Sequence, residues 1–138
     1  MTRRTVLSSF IALVILTIAA LAGGASTARA QQNPNCCTYT VDIQGVPALC
    51  FPLRVYTQWS CFATPLVNNY TGNGVYIAPI PGLVPCPPAS CKLTGVSLDG
   101  VNFIPPNTTK RFLIGNCCYV ISFGYDINGC CYIKIGPC

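Results

Sequence analysis

Apolar and polar residues alternate with a period of two through most of the chain beyond residue 36, the pattern of strands with one face buried. Cys37, Tyr39, Val41 and Ile43 interleave with Thr38, Thr40 and Asp42, predicting a strand over Cys37–Ile43. Leu53, Val55, Thr57 and Trp59 interleave with Arg54, Tyr56 and Gln58, predicting a second. A shorter third, Val75–Ile80, follows the turn-forming run Thr71-Gly72-Asn73-Gly74. No stretch carries the 3.6-residue period of an amphipathic helix.

Turn chemistry sets the register in the second half. Asp99-Gly100 suits a two-residue hairpin turn, pairing Leu98 with Val101 and Val96 with Phe103. Gly115-Asn116 in the same role places Ile114 opposite Cys117 and Phe112 opposite Tyr119. At the third turn, a two-residue Asn128-Gly129 loop would misalign the apolar faces. A three-residue loop, Ile127-Asn128-Gly129 with Gly129 left-handed, pairs Tyr125 with Cys131, Phe123 with Ile133 and Ile121 with Ile135. The strands expected there are Lys110–Ile114, Cys117–Tyr125 and Cys130–Ile135. About seven or eight strands result, and the fold class expected is all-β: a disulfide-rich antiparallel β-sandwich of immunoglobulin-like size.

The start of the chain departs from this pattern. Arg3 and Arg4 precede an apolar run from Val6 to Leu21, and Ala28-Arg29-Ala30 has the small-x-small form of a signal-peptidase site. Residues 1–30 are read as a secretory signal peptide for the general secretory route rather than the twin-arginine one. Residues 31–138 are read as one domain, since that length has no room for two cores. The five prolines at 79, 81, 85, 87 and 88 mark an extended connection within it.

Composition points to the same compartment. All eleven cysteines lie after Ala30: Cys36, Cys37, Cys50, Cys61, Cys86, Cys91, Cys117, Cys118, Cys130, Cys131 and Cys138. Such density implies an oxidising, extracellular or cell-surface location. Neighbouring side chains on a strand face opposite ways, so the two members of each doublet should have different partners. Cys86 and Cys91 bracket a segment short enough for a local ring. An odd count leaves one sulfur over, and the chain ends, Cys138 and Cys36, are the positions expected to carry it. Left over at an end, that sulfur would be either a link to a neighbouring subunit or an idle thiol.

Charge is scarce. After signal removal Arg54, Lys92, Lys110, Arg111 and Lys134 face Asp42, Asp99 and Asp126, a net charge of +2. There is no basic stripe for nucleic acid, and no second apolar run able to hold the mature chain in a membrane. Eight charges fall far below the roughly 25% typical of soluble domains. A surface this neutral is either covered or made to associate. Asn69 and Asn107 each begin an Asn-x-Thr acceptor tripeptide, so glycan is one cover.

Catalysis is not expected. The chain lacks histidine and glutamate, which removes the usual general base and the nucleophile–histidine constellations. Asp99 and Asp126 read as turn residues and Asp42 as part of a polar strand face. No metal site or cofactor is expected, the cysteine spacing being wrong for zinc knuckles. The function expected is a structural protein that associates with copies of itself or related subunits in an extracellular filament, fimbria, sheath or surface layer. Of the predicted strands, Cys37–Ile43 is the one suited to exchange between copies, the arm 31–35 being too short. The main alternative is a carbohydrate-binding or adhesion module with an outward platform of Tyr56, Arg54 and Gln58. A secreted inhibitor or toxin is a third class.

Overall fold

The computed structural model describes residues 31–82 and 91–138. The expected signal segment and most of the proline-rich connection, with Cys86, lie outside the described residues. Eight strands form among the described residues: β1 (Thr38–Ile43), β2 (Leu53–Trp59), β3 (Leu66–Tyr70), β4 (Gly74–Pro79), β5 (Leu93–Ser97), β6 (Thr108–Ile114), β7 (Cys117–Tyr125) and β8 (Cys131–Pro137), with a short 3₁₀ turn at Ala48–Cys50. They make a five-stranded sheet of order β4-β1-β8-β7-β6 and a three-stranded sheet of order β3-β2-β5.

The all-β expectation holds, with one correction. The sheets are not purely antiparallel, because β1 runs parallel to β8, with Val41 beside Ile133 and Ile43 beside Ile135. Both strands bury their odd-numbered apolar residues, so either orientation keeps those residues inside. The long connections after β1 supply the crossover that parallel pairing needs.

Two of the three predicted hairpins form in the expected register. Ile114 pairs with Cys117 and Phe112 with Tyr119. Tyr125 pairs with Cys131, Phe123 with Ile133 and Ile121 with Ile135. Gly129 has φ +77°, the left-handed conformation the three-residue loop demands. The Asp126 carboxylate ties that loop, accepting from the N–H groups of Asn128 (2.9 Å) and Cys130 (3.0 Å).

The Asp99-Gly100 hairpin does not form. Val96 pairs with Ile104 rather than Phe103, and Val101 points to solvent while Leu98 stays buried. A two-residue turn of the predicted type needs positive φ at both centres, and only Gly100 has it. Instead Asp99 folds back on its own loop, accepting from the N–H groups of Val101 and Asn102 at 2.8 Å each and from the Ser97 hydroxyl at 2.7 Å. That carboxylate-centred loop is wider than a hairpin turn and shifts the returning strand by one residue.

Strand β3 has no counterpart in the sequence pattern. Its Asn68 and Asn69 are poor strand formers, and most of it is exposed at a sheet edge.

The two sheets share one core. Tyr39, Ile121 and Ile133 of the larger sheet and Val55, Trp59 and Leu93 of the smaller one belong to a single buried cluster. Tyr39 meets Trp59 edge to face, with centroids 5.2 Å apart, the arrangement favoured by the ring quadrupoles. Polar atoms in this interior are paired: Trp59 Nε1–H donates to Thr57 Oγ1 at 2.9 Å, and Asn68 Nδ2 donates to the Tyr39 hydroxyl at 3.2 Å.

Candidate functional site

Four disulfides join described residues: Cys36–Cys130, Cys50–Cys117, Cys61–Cys91 and Cys118–Cys138. Their Cα separations run from 4.9 to 5.7 Å, within the span that a bridge tolerates. Cys37 is also disulfide-bonded. The doublet argument holds at Cys117-Cys118, whose members lead to the 3₁₀ turn and to the chain end. Two cysteine expectations are corrected. Cys91 bonds Cys61, so it closes no ring with Cys86. Cys36 and Cys138 are both paired, and the free thiol among the described residues is the buried Cys131. Cys131 lies fully buried in the core cluster, while its neighbour Cys130, just before β8, bonds Cys36.

The N-terminal arm is built into the fold. Asn33 N–H donates to the Gly129 carbonyl at 2.8 Å and its side-chain amide donates to Asn128 O at 3.0 Å. Gln32 is inserted between the sheets: its Oε1 accepts from Leu93 N–H at 3.1 Å and from the Cys131 thiol at 3.2 Å, and its Nε2 donates to Cys91 O at 3.4 Å. Burial, the main cause, pushes the Cys131 thiol up to about 12. With so little thiolate, it is a poor nucleophile. β1, singled out for exchange between copies, lies between β4 and β8 and is paired on both sides.

The residues of the predicted platform are only partly brought together. Arg54, Tyr56 and Gln58 share the outer face of β2. Arg54 and Tyr56 line a groove of about 400 Å³ with Pro52, Leu98, Asp99, Ile114 and Tyr119, but Gln58 is not part of it. The Tyr56 ring lies against Gly100, where an added Cβ would come within 3.0 Å of it. Asp99, read from sequence only as a turn residue, thus also borders the groove. Burial tends to raise its carboxyl pKa, but hydrogen bonds from the Asn102 N–H and amide, the Val101 N–H and the Ser97 hydroxyl outweigh that and hold it well below the usual range. The groove therefore carries both an anion, Asp99, and a guanidinium, Arg54, in its lining.

Asp42 is held elsewhere, on the outer face of the large sheet. It accepts from the Tyr132 hydroxyl and from Gln44 Nε2. The Tyr132 bond, then the Gln44 bond, lower its pKa, with Lys134 adding a smaller electrostatic effect. The three aspartates thus serve separate local networks. Asn69 lies exposed on β3, and Asn107 is exposed at φ +63° just before β6.

The sequence does not say which strands form the sheet edges. β4 exposes Val75 and Ile77, at 58% and 70%, and β6 exposes Leu113 at 75%. On β4 both alternating sets are apolar, Tyr76 and Ala78 packing on the core, so periodicity alone cannot say which set faces water. Searches of protein-family models, curated proteins and solved structures found nothing that matches this chain.

Proposed function

We propose that this chain is an exported, non-enzymatic structural protein, a disulfide-stapled β-sandwich that associates with copies of itself in an extracellular filament, fimbria, sheath or surface layer. The observation that carries this reading is the pairing of a charge-poor sequence with outer strands that are unpaired on one side among the described residues and bear exposed apolar side chains. Val75 and Ile77 on one edge and Leu113 on the other lie where a monomer ordinarily places charge. Disulfide bonding between distant segments supports durability outside the cell, each bridge contributing about 2–4 kcal/mol. Size-exclusion chromatography with light scattering and negative-stain imaging of the exported protein test the reading. Concentration-dependent assemblies are expected, and a monodisperse monomer at high concentration overturns it.

A second reading has its own support. The groove lined by Arg54, Tyr56 and Asp99 combines an aromatic ring with two opposite charges, a set of groups suited to a sugar's hydroxyls and apolar face. On this reading the protein is a carbohydrate-binding or adhesion module. A glycan array with reproducible hits that disappear in Tyr56→Ala favours it over assembly.

A further inference from the structure

Among the described residues the two outer strands of the large sheet, β4 and β6, are each unpaired on one side, and these edges are complementary in direction, face and charge. Along β4-β1-β8-β7-β6 the joints are antiparallel, parallel, antiparallel and antiparallel. Three reversals leave β4 and β6 running in opposite directions. A second copy displaced along the sheet, without being turned over, therefore brings its β6 antiparallel to the first copy's β4.

The side chains agree with that displacement. On the outer face, β4 shows Val75, Ile77 and Pro79, opposite Asp42, Thr40 and Thr38 of β1. β6 shows Thr109, Arg111 and Leu113 on the same face, opposite Ser122, Val120 and Cys118 of β7. In the register that overlaps the strands fully, Gly74 lies beside Ile114 and Pro79 beside Thr109. Leu113 then meets Val75, and Arg111 meets Ile77. Outward residues stay outward, as a register even in residue count requires.

Charge separates this arrangement from a pairing of two β6 edges. β4 has no charged residue, and the carboxylate one strand behind it on that face is Asp42. β6 carries Lys110 and Arg111. Two β6 edges pairing with each other would bring four cations close together, and like charges across strands are destabilising. A neutral apolar edge backed by a carboxylate is the better match for the basic one.

We infer that copies of this protein join head to tail by β6-to-β4 strand pairing, which extends the five-stranded sheet without closing it. This rests on the self-association proposed above and names its contact. A heterologous contact that does not close generates a filament. Strands spaced at about 4.8 Å give an axial rise of roughly 24 Å for five strands. A twist of about 20–25° per strand turns successive copies by roughly 100–125°, near three copies per turn.

The test uses Ile77→Lys and Leu113→Lys, both at exposed positions, in the mature protein. Circular dichroism and melting check the fold, and Val75→Lys is a second probe of the β4 edge. In sedimentation velocity the unaltered protein should form species larger than dimers. Each variant alone should remain a monomer. An equal mixture should form a dimer and stop there, since one variant retains a competent β6 and the other a competent β4. Assemblies that survive both substitutions overturn the edge contact and leave self-association standing. If Leu113→Lys gives dimers while Ile77→Lys gives monomers, the contact is a two-fold β4 pairing and the head-to-tail arrangement is wrong. An unaltered protein that stays monomeric overturns both this inference and the reading beneath it.

Discussion

The Cys131 thiol donates to Gln32 Oε1 at 3.2 Å across a sequence separation of 99 residues. The same oxygen accepts from Leu93 N–H, so one side chain near the start of the described chain joins strands of both sheets. In Gln32→Ala the Leu93 N–H and the thiol lose their acceptor, and an unsatisfied buried donor costs about 1–3 kcal/mol. Urea unfolding should show a loss in that range. Iodoacetamide should label Cys131 far faster in this variant than in the native protein.

Cys36–Cys130 closes the longest of the four loops, with a separation of 94, whereas Cys118–Cys138 spans 20. In the chain-entropy model the longer loop stabilises more, by about 1 kcal/mol. Replacing Cys36 and Cys130 by alanine should cost about 2–5 kcal/mol and exceed the cost of replacing Cys118 and Cys138. Limited proteolysis should also detach the N-terminal arm first, because its remaining ties are the Gln32 and Asn33 hydrogen bonds.

Gly100 combines φ +77° with contact against the Tyr56 ring. A side chain in the left-handed region costs about 1–2 kcal/mol, and here a Cβ would also press on that ring. Gly100→Ala should lower stability by at least that amount and shift the Tyr56 ring resonances. If the groove binds sugar, affinity should fall in the same variant.

Stability should decline in acid through Asp99 and Asp42, whose folded-state pKa values lie below the ordinary 3.8. A depressed carboxyl contributes fully above its unfolded value, and the contribution is lost as pH falls toward the folded one. Denaturant midpoints should therefore hold steady above about pH 5 and drop below about pH 4. Asp99→Asn should be less stable at neutral pH, with a shallower fall in acid.

Tyr70 shows the opposite sign. Burial, then the neighbouring Tyr39 and Tyr76, push its hydroxyl up to about 12 from the ordinary 10.0. A raised phenol contributes fully below its unfolded pKa and loses the contribution as pH climbs through the folded value. Spectrophotometric titration should show a late phenolate fraction near pH 12. That fraction should be missing in Tyr70→Phe.

Where local chemistry was decisive, the sequence was legible. Gly115 and Gly129 set the register of two hairpins because a short turn leaves few ways to align alternating faces. Asp99-Gly100 failed for an equally local reason: the Asp99 carboxylate captured the backbone donors that a tight turn would have placed elsewhere. Within the groove, Arg54 and Tyr56 were foreseen, while Leu98, Ile114 and Tyr119 come from segments that meet β2 only in three dimensions. The leftover cysteine was misplaced because chain ends look free in a sequence, whereas both are bridged here.

By itself the sequence determined the strands other than β3, the faces that most of them bury, and the registers across Gly115-Asn116 and Ile127-Asn128-Gly129, since period-two patterning and turn preferences act over a few residues. Only the tertiary structure decided the parallel joint of β1 with β8, the partners of the cysteines, the clamp of Gln32 on Cys131 and the opposed edges of β4 and β6. Those depend on segments tens of residues apart. Many pairings would bury similar apolar area, and the arrangement adopted is the one in which packing, bridges and hydrogen bonds are satisfied together.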